Sequence, residues 1–195
     1  KPLIAYTIEP SLASSILTDV VVTTDDEEIA DVSRAYGALV PFMRPADLGT
    51  DSAQAIPTIQ HAVREMETLR DYQYDVVVML QPTTPLRTSK DIDESVRKLI
   101  DTDADSVISV VDVGGHHPMR MKQIVEDSLV DYDDEAIENM PRQDLPAVYL
   151  RAGSIYATRR DVLMIQGSFK GEISRPFIIP PDRAVNIDIM PDMVV

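Results

Sequence analysis

The sequence predicts an α/β domain built on a mostly parallel sheet. Three observations lead there. Strand-length apolar runs alternate with segments of helical period over residues 1–111. The run Val76-Val77-Val78-Met79-Leu80 is apolar without a polar break, as in a central strand covered on both faces. Helix caps stand where the helical period begins, notably Thr88 with Asp91. At 195 residues and 21.7 kDa the chain has room for one sizeable core, so a single domain over residues 1–195 is expected.

Along the chain, Leu3, Ile4, Ile8, Leu12 and Ile16 recur at spacings of three to four and predict an amphipathic helix over about the first fifteen residues. Thr18 to Thr24 reads as a short strand. Asp25 with Glu28 then opens a helix carrying Ile29, Val32 and Tyr36, which Gly37 is placed to end. Ala38 to Phe42 is a second strand. Asp51-Ser52 caps a longer helix with Ile56, Ile59, Val63, Met66 and Leu69 on one face, and Pro57 is tolerable only in its first turn. Tyr74 to Leu80 is the expected middle of the sheet, followed by a helix with Ile92, Val96, Leu99 and Ile100 and a strand over Asp105 to Val111. This alternation predicts a Rossmann-like layer of parallel strands joined by right-handed crossovers.

Residues 112–150 change character, with glycines, two histidines and an acidic stretch from Asp131 to Glu138 but no sustained helical period. They read as an inserted excursion containing a hairpin, suited to subunit contact or to a flap. Further strands are expected over Tyr149 to Thr158, Phe177 to Ile179 and Val185 to Ile189, with a short helix over Arg159 to Ile165.

Composition narrows the function classes. With 18 basic against 33 acidic residues the formal charge is -15, which argues against nucleic acid, whose binding draws on many lysine and arginine contacts to phosphate. Small anions stay open, because a few arginines, helix N-termini and a divalent cation can make a site locally positive. No apolar run approaches the roughly 18–20 residues of a membrane span, and the absence of cysteine removes disulfides and thiolate chemistry; a cytoplasmic protein is expected. His116 and His117 are adjacent and lack the spacing of a chelate. No Gly-x-Ser-x-Gly elbow offers a serine nucleophile. Met119, Met121 and Met140 suit an interface better than chemistry.

In open sheets, ligands bind beyond the carboxyl ends of the strands, so the turns after strands hold the candidate residues. These are Thr23-Thr24-Asp25-Asp26, Met43-Arg44-Pro45 and Gln81-Pro82-Thr83-Thr84-Pro85-Leu86-Arg87. In the last, two prolines set a rigid exit and Gln81 offers both a donor and an acceptor; on physics alone the turn could equally be a structural connection.

Leu80 to Arg87 resembles the Leu-Gln-Pro-Thr-Ser-Pro-Leu-Arg signature of the acylneuraminate cytidylyltransferases, which include CMP-sialic acid synthetases and their legionaminic and pseudaminic acid relatives. Val22-Thr23-Thr24-Asp25, Arg44-Pro45-Ala46-Asp47-Leu48 with Thr50-Asp51-Ser52-Ala53, His116-His117-Pro118, Pro141-Arg142-Gln143, Gly153-Ser154-Ile155-Tyr156 and Ile187-Asp188 recur in the family's order, so the resemblance covers essentially the whole chain. It implies a three-layer nucleotidyltransferase fold with the 112–150 excursion used for dimerisation. It also implies transfer of CMP from CTP to the anomeric hydroxyl of a nonulosonic acid, with Mg²⁺ as cofactor and a homodimer or dimer of dimers as assembly.

Residue by residue, the resemblance assigns Arg44, Ser52 and Ala53 to the nucleotide and Gln81, Arg120, Arg142 and Tyr156 to the sugar acid. Asp188 becomes a catalytic metal ligand, with Asn186 beside it in the metal site. Taken singly, Arg44 could as well close a loop, and Arg120 or Arg142 could form surface ion pairs. The chain departs from the family at Asn186, where a carboxylate is usual, and at Ala152, where asparagine is common. Asp192 is expected to act as a cap or to support the ligand from behind. The resemblance also places a strand and a loop rich in arginine, serine, glycine and lysine ahead of Lys1. Two alternatives stay open: a cytidylyltransferase for another 2-keto acid such as 3-deoxy-manno-octulosonate, and a nucleotide-sugar-binding relative without turnover. Which sugar acid is used is a matter of pocket shape, beyond these motifs.

Overall fold

A computed structural model describes residues 1–50, 54–190 and 192. In chain order its elements are α1 (Ala5–Leu12), α2 (Glu27–Ala35), α3 (Ala55–Arg70), β1 (Val76–Met79), α4 (Ser89–Asp101), β2 (Ser106–Asp112), β3 (Lys122–Val125), β4 (Ser128–Asp131), β5 (Tyr149–Arg159), α5 (Arg160–Met164) and β6 (Ser174–Ile178). The first helix is shorter than its apolar period suggests. Pro10 lies inside it and lacks the N–H a further turn needs, and the helix ends two residues later.

The main sheet has the order β1-β5-β2-β6. β2 and β6 are parallel, while β5 runs antiparallel to both β1 and β2, so β1, β2 and β6 share one direction and β5 opposes them. The architecture is the expected Rossmann-like α/β layer, mostly parallel in strand direction. Its reversed strand has a physical origin: β2 returns to β5 through the 113–148 excursion, not through a helical crossover.

Several strand expectations are corrected. The Val76–Leu80 run is not central among the described strands: β1 closes one end of the sheet order and is half-buried along its length. One reason is a large cavity against it, described below. The strands expected over Thr18–Thr24 and Ala38–Phe42 reduce to one parallel bridge, Val21 to Leu39, supported by Val22 N–H to the Leu39 carbonyl at 2.9 Å and Leu39 N–H to the Val20 carbonyl at 2.8 Å. Val185 to Ile189 forms no strand. It is an irregular arm whose Ile187 N–H donates to the Thr83 carbonyl at 2.7 Å.

The helices hold closer to expectation. Asp26, one residue after the expected Asp25, caps α2 by accepting from Ile29 N–H at 3.0 Å, and Gly37 follows that helix at φ +93°. The cap expected at Asp51-Ser52 lies outside the described residues; α3 runs as predicted, with Pro57 in its first turn. α4 carries a full capping box between Thr88 and Asp91. Ile92, Val96 and Leu99 on one face of α4 meet Val107, Ile155 and Ala157, with Val76, Val78 and Leu80 packed alongside. Each fully buried Ile, Leu or Val of this set contributes about 1.5–3 kcal/mol, and Ala157 and the partly buried strand residues less. On a separate path α3 is tied to α5 by Gln60 Nε2 donating to the Leu163 carbonyl at 2.7 Å. The hairpin expected in the excursion is β3–β4, paired from Lys122–Asp131 to Val125–Ser128.

Candidate active site

Between α1, residues 16–24, α3 and β1 lies a cavity of about 1330 Å³. Most of it is apolar, walled by side chains such as Ile8, Val20, Val63, Met66 and Val77. Its lining also includes Thr23, Thr24, Arg44 and Gln81, from the three turns singled out by sequence, together with Gly49 and Thr50. Arg44 donates from its backbone N–H to the Thr24 carbonyl at 2.8 Å and from Nη2 to the Asp25 carboxylate. That guanidinium bond, first among its causes, holds the Asp25 carboxyl below its ordinary pKa. Gly49 packs against the same carboxylate, since a Cβ there would meet Asp25 Oδ2 at 2.3 Å. Among the described residues, two buried polar atoms here, Thr23 Oγ1 and Arg44 Nε, have no hydrogen-bond partner. Buried polar atoms are normally paired, so these two stand out in the lining of the cavity.

At the carboxyl end of β1, the Gln81 to Arg87 turn is held from several sides. Thr84 donates from N–H and Oγ1 to the Gln81 carbonyl at 3.2 and 3.1 Å. The Gln81 side chain lies over Gly153 of β5, where a Cβ would come within 2.6 Å of Gln81 Oε1. Gly153 has φ +73° and sits where the β2–β5 register shifts, between Ile108 and Val110. The glycine thus admits the glutamine.

The arm over residues 184–189 reaches this turn. Arg183 grips the buried Asp91 carboxylate at the start of α4 with Nη1 and with Nη2, the latter at 3.1 Å. Burial opposes ionisation of Asp91, yet Arg183 and Thr88 together hold its carboxyl below the ordinary value. From that staple the arm runs past Thr83 and presents Asn186 and Asp188. Asn186 Nδ2 donates to Asp188 Oδ2 at 2.5 Å. Asp192 accepts from Asp188 N–H and Ile189 N–H, both at 2.9 Å, and caps this bend. The turn that bears Gln81 therefore meets Gly153 on one side and, through the Thr83 carbonyl, the backbone of the arm that bears Asp188.

The other sequence candidates lie elsewhere. Arg120 donates from Nη2 to the Met140 carbonyl at 3.2 Å within the excursion. Arg142 lies against Gly114 in a separate recess of about 190 Å³. Tyr156 is 9% exposed, pairs with Met79 and Ile108, and sets its ring 5.9 Å from that of Phe169; it does not line the large cavity. Ser52 and Ala53 lie outside the described residues. His117 uses both ring nitrogens structurally: Nδ1 accepts from Met119 N–H at 3.1 Å, and Nε2 meets the Pro146 carbonyl at 3.0 Å.

Comparison with known proteins separates a loose likeness from membership. A family model described as "Cytidylyltransferase" matches residues 1–174. A pseudaminic acid cytidylyltransferase of Campylobacter jejuni is 32% identical over 195 residues, covering 99% of this chain and 82% of that protein. The chain belongs to the acylneuraminate cytidylyltransferase family. A CMP-N,N'-diacetyllegionaminic acid synthase of Legionella pneumophila is 33% identical, covering 96% of this chain and 80% of its own length. Among solved structures, a CMP:2-keto-3-deoxy-manno-octonic acid synthetase complexed with CTP superposes with a TM-score of 0.63 at 17% identity, covering 92% of this chain and 80% of that one. It corroborates the fold.

In this cytidylyltransferase the cation question turns on donor chemistry. Among the described residues no three His, Cys, Asp or Glu side chains gather, so no metal cage is built from protein alone. Asp188 and Asn186 are exposed oxygen donors in contact with each other, on the arm that reaches the Gln81 turn. That set fits Mg²⁺, which takes one or two protein oxygens and completes its shell with phosphate oxygens and water. Sequence reasoning missed Thr23 as a buried hydroxyl without a partner among the described residues, Gly153 as the seat of Gln81, and Arg87. Each lay inside a quoted motif, but its role depends on contacts distant in sequence.

Proposed function

We propose that the protein transfers CMP from CTP to the anomeric hydroxyl of a sialic-acid-like nonulosonic acid and releases pyrophosphate. The observation that carries this reading is the Gln81 turn: its side-chain amide, without a protein hydrogen-bond partner among the described residues, lies over Gly153 and next to the arm that bears Asp188. The named activities of the Campylobacter and Legionella relatives support the same substrate class.

In this reading the anomeric oxygen forms a bond to the α-phosphorus as the bond to pyrophosphate breaks, and the protein's main work is alignment. Thr23 and Arg44 take the nucleotide from the lining of the cavity, together with Ser52 and Ala53. Gln81 accepts and donates hydrogen bonds to the acid and orients its hydroxyl. Arg120 and Arg142 act on the acid from the excursion, with Tyr156 behind it. Asp188 and Asn186 hold Mg²⁺, which neutralises phosphate charge when bound. The Asn186 bond keeps Asp188 oriented, and the single carboxylate makes the hold on the cation weaker than two would. The enzyme works as a cytoplasmic homodimer or dimer of dimers joined through residues 112–150.

Pyrophosphate release with CTP, Mg²⁺ and a panel of pseudaminic, legionaminic and neuraminic acids, plus 3-deoxy-manno-octulosonate, tests this directly. Turnover with one nonulosonic acid is expected. Turnover only with the octulosonate moves the activity to the other acid class. Silence across the panel with retained CTP binding identifies a non-catalytic relative, a reading that Asn186 in place of a carboxylate favours. Asp188→Ala should lower kcat by about a hundredfold or more; unchanged activity removes Asp188 from the cation site.

A further inference from the structure

Arg87 closes the turn that carries Gln81, and it is only 3% exposed. Nε donates to the Ser154 carbonyl at 2.9 Å, Nη1 to Thr7 Oγ1 at 2.6 Å, and Nη2 to Thr84 Oγ1 at 2.6 Å and to the Gln81 carbonyl. Every acceptor is neutral. No carboxylate pairs with it among the described residues, and burial alone lowers its pKa, to about 10, so it stays charged at neutral pH. Among the described residues the other well-buried charges have a counter-charge: Asp91 with Arg183, Asp93 with Arg97, Glu67 with Arg160, Asp19 with Arg70. Taking an ion out of water without a counter-charge is costly. Hydrogen bonds alone could brace the turn with a neutral side chain. A guanidinium adds a positive charge beneath Gln81, in surroundings that screen it weakly.

We propose that Arg87 is a positioning residue for the acid substrate: it holds the Gln81 backbone, and its unpaired charge draws the substrate carboxylate to the Gln81 side of the cleft. The inference rests on the function proposed above and deepens it. It assigns the selection of an acid over a neutral sugar in part to a residue that does not touch the ligand.

The test compares wild type with Arg87→Lys, which keeps the charge, Arg87→Gln, which keeps donors without charge, and Thr84→Val, which keeps the charge and loses both an acceptor for Arg87 and the Thr84 Oγ1 bond to the Gln81 carbonyl. For each, KM is measured for the acid, for its carboxamide and for CTP, and acid binding is measured by calorimetry. Arg87→Gln should raise KM for the acid by about tenfold or more, leave KM for CTP within about twofold, and abolish discrimination between acid and carboxamide. Arg87→Lys and Thr84→Val should keep that discrimination. Equal losses in Thr84→Val and Arg87→Gln, or a rise in both KM values together, would mean a packing role and overturn the proposal. If the Arg87 variants fail to fold, the wild type and Thr84→Val decide: equal binding of acid and carboxamide by the wild type, or discrimination lost in Thr84→Val, overturns it. If the wild type releases no pyrophosphate with any acid, the functional reading fails by itself. Calorimetry then still separates the two, since acid binding by wild type and Arg87→Lys but not by Arg87→Gln upholds the role of the charge.

Discussion

Gly153 sits at φ +73° with Gln81 Oε1 2.6 Å from where a Cβ would stand, so two costs meet in a Gly153→Ala substitution. The backbone cost is about 1–2 kcal/mol for a side chain in a left-handed conformation. The steric cost falls on the far end of a flexible side chain, so Gln81 moves instead of the strand. The expected outcome is a small drop in melting temperature with a severalfold rise in KM for the acid and little change for CTP; an unchanged KM would mean that Gln81 does not read the acid from this seat. Residue-scale legibility follows the same logic. Gln81 is picked out in sequence by the proline-bearing turn after an apolar run, whereas Asp188 stands in an expected strand and is picked out by the family resemblance alone. Arg87 is not, because its meaning depends on Thr7 and Ser154, which lie 80 and 67 residues away. Tyr156 shows the reverse, a motif residue whose ring the fold packs against Phe169.

At the scale of elements, α4 organises the site without touching it. Its N-terminal Asp91 serves the Thr88 capping box and Arg183 at once, so one carboxylate both starts the helix and moors the arm that presents Asp188. Asp91→Asn keeps the shape and an acceptor for Thr88 but leaves Arg183 without its charge partner. A loss of about 2 kcal/mol at neutral pH is expected, below the full value of a buried pair because the Arg183 side chain is 30% exposed. The folded-state pKa of Asp91 is depressed, so its contribution is complete above the ordinary value of 3.8 and fades as pH falls below it. Melting of wild type and variant from pH 7 to pH 3 should therefore show a gap that narrows below about pH 4; a gap independent of pH would assign the loss to packing. This capping box was readable in the sequence, since its residues stand three apart and the apolar face follows at once. The rank of β1 in the sheet was not. An unbroken apolar run predicts cover on both faces, which the half-buried β1 with a cavity against it does not have, and strand order depends on β5, whose reversal follows from the long excursion.

For the whole molecule, charge and apolar surface pull in opposite directions. The β3–β4 hairpin projects Ile124 at 78% exposure opposite Leu129 at 71%, with Val125, Val130 and Tyr132 also exposed. A two-stranded hairpin is marginal in water by itself, and an apolar pair at this exposure is a candidate subunit contact. A second copy as partner must overcome the repulsion between chains of formal charge -15. The dimer proposed through residues 112–150 should therefore tighten with salt, because screening at about 10 Å in 0.1 M weakens the repulsion while leaving apolar burial intact. Sedimentation of the wild type should show the dimer fraction rising with ionic strength. The double variant Ile124→Asp with Leu129→Asp should be monomeric throughout and keep the wild-type melting profile of the main sheet. A monomeric wild type at micromolar concentration, or a double variant that still dimerises, would remove the hairpin from the interface; dimers that weaken with salt would replace the apolar contact with one built on ion pairs.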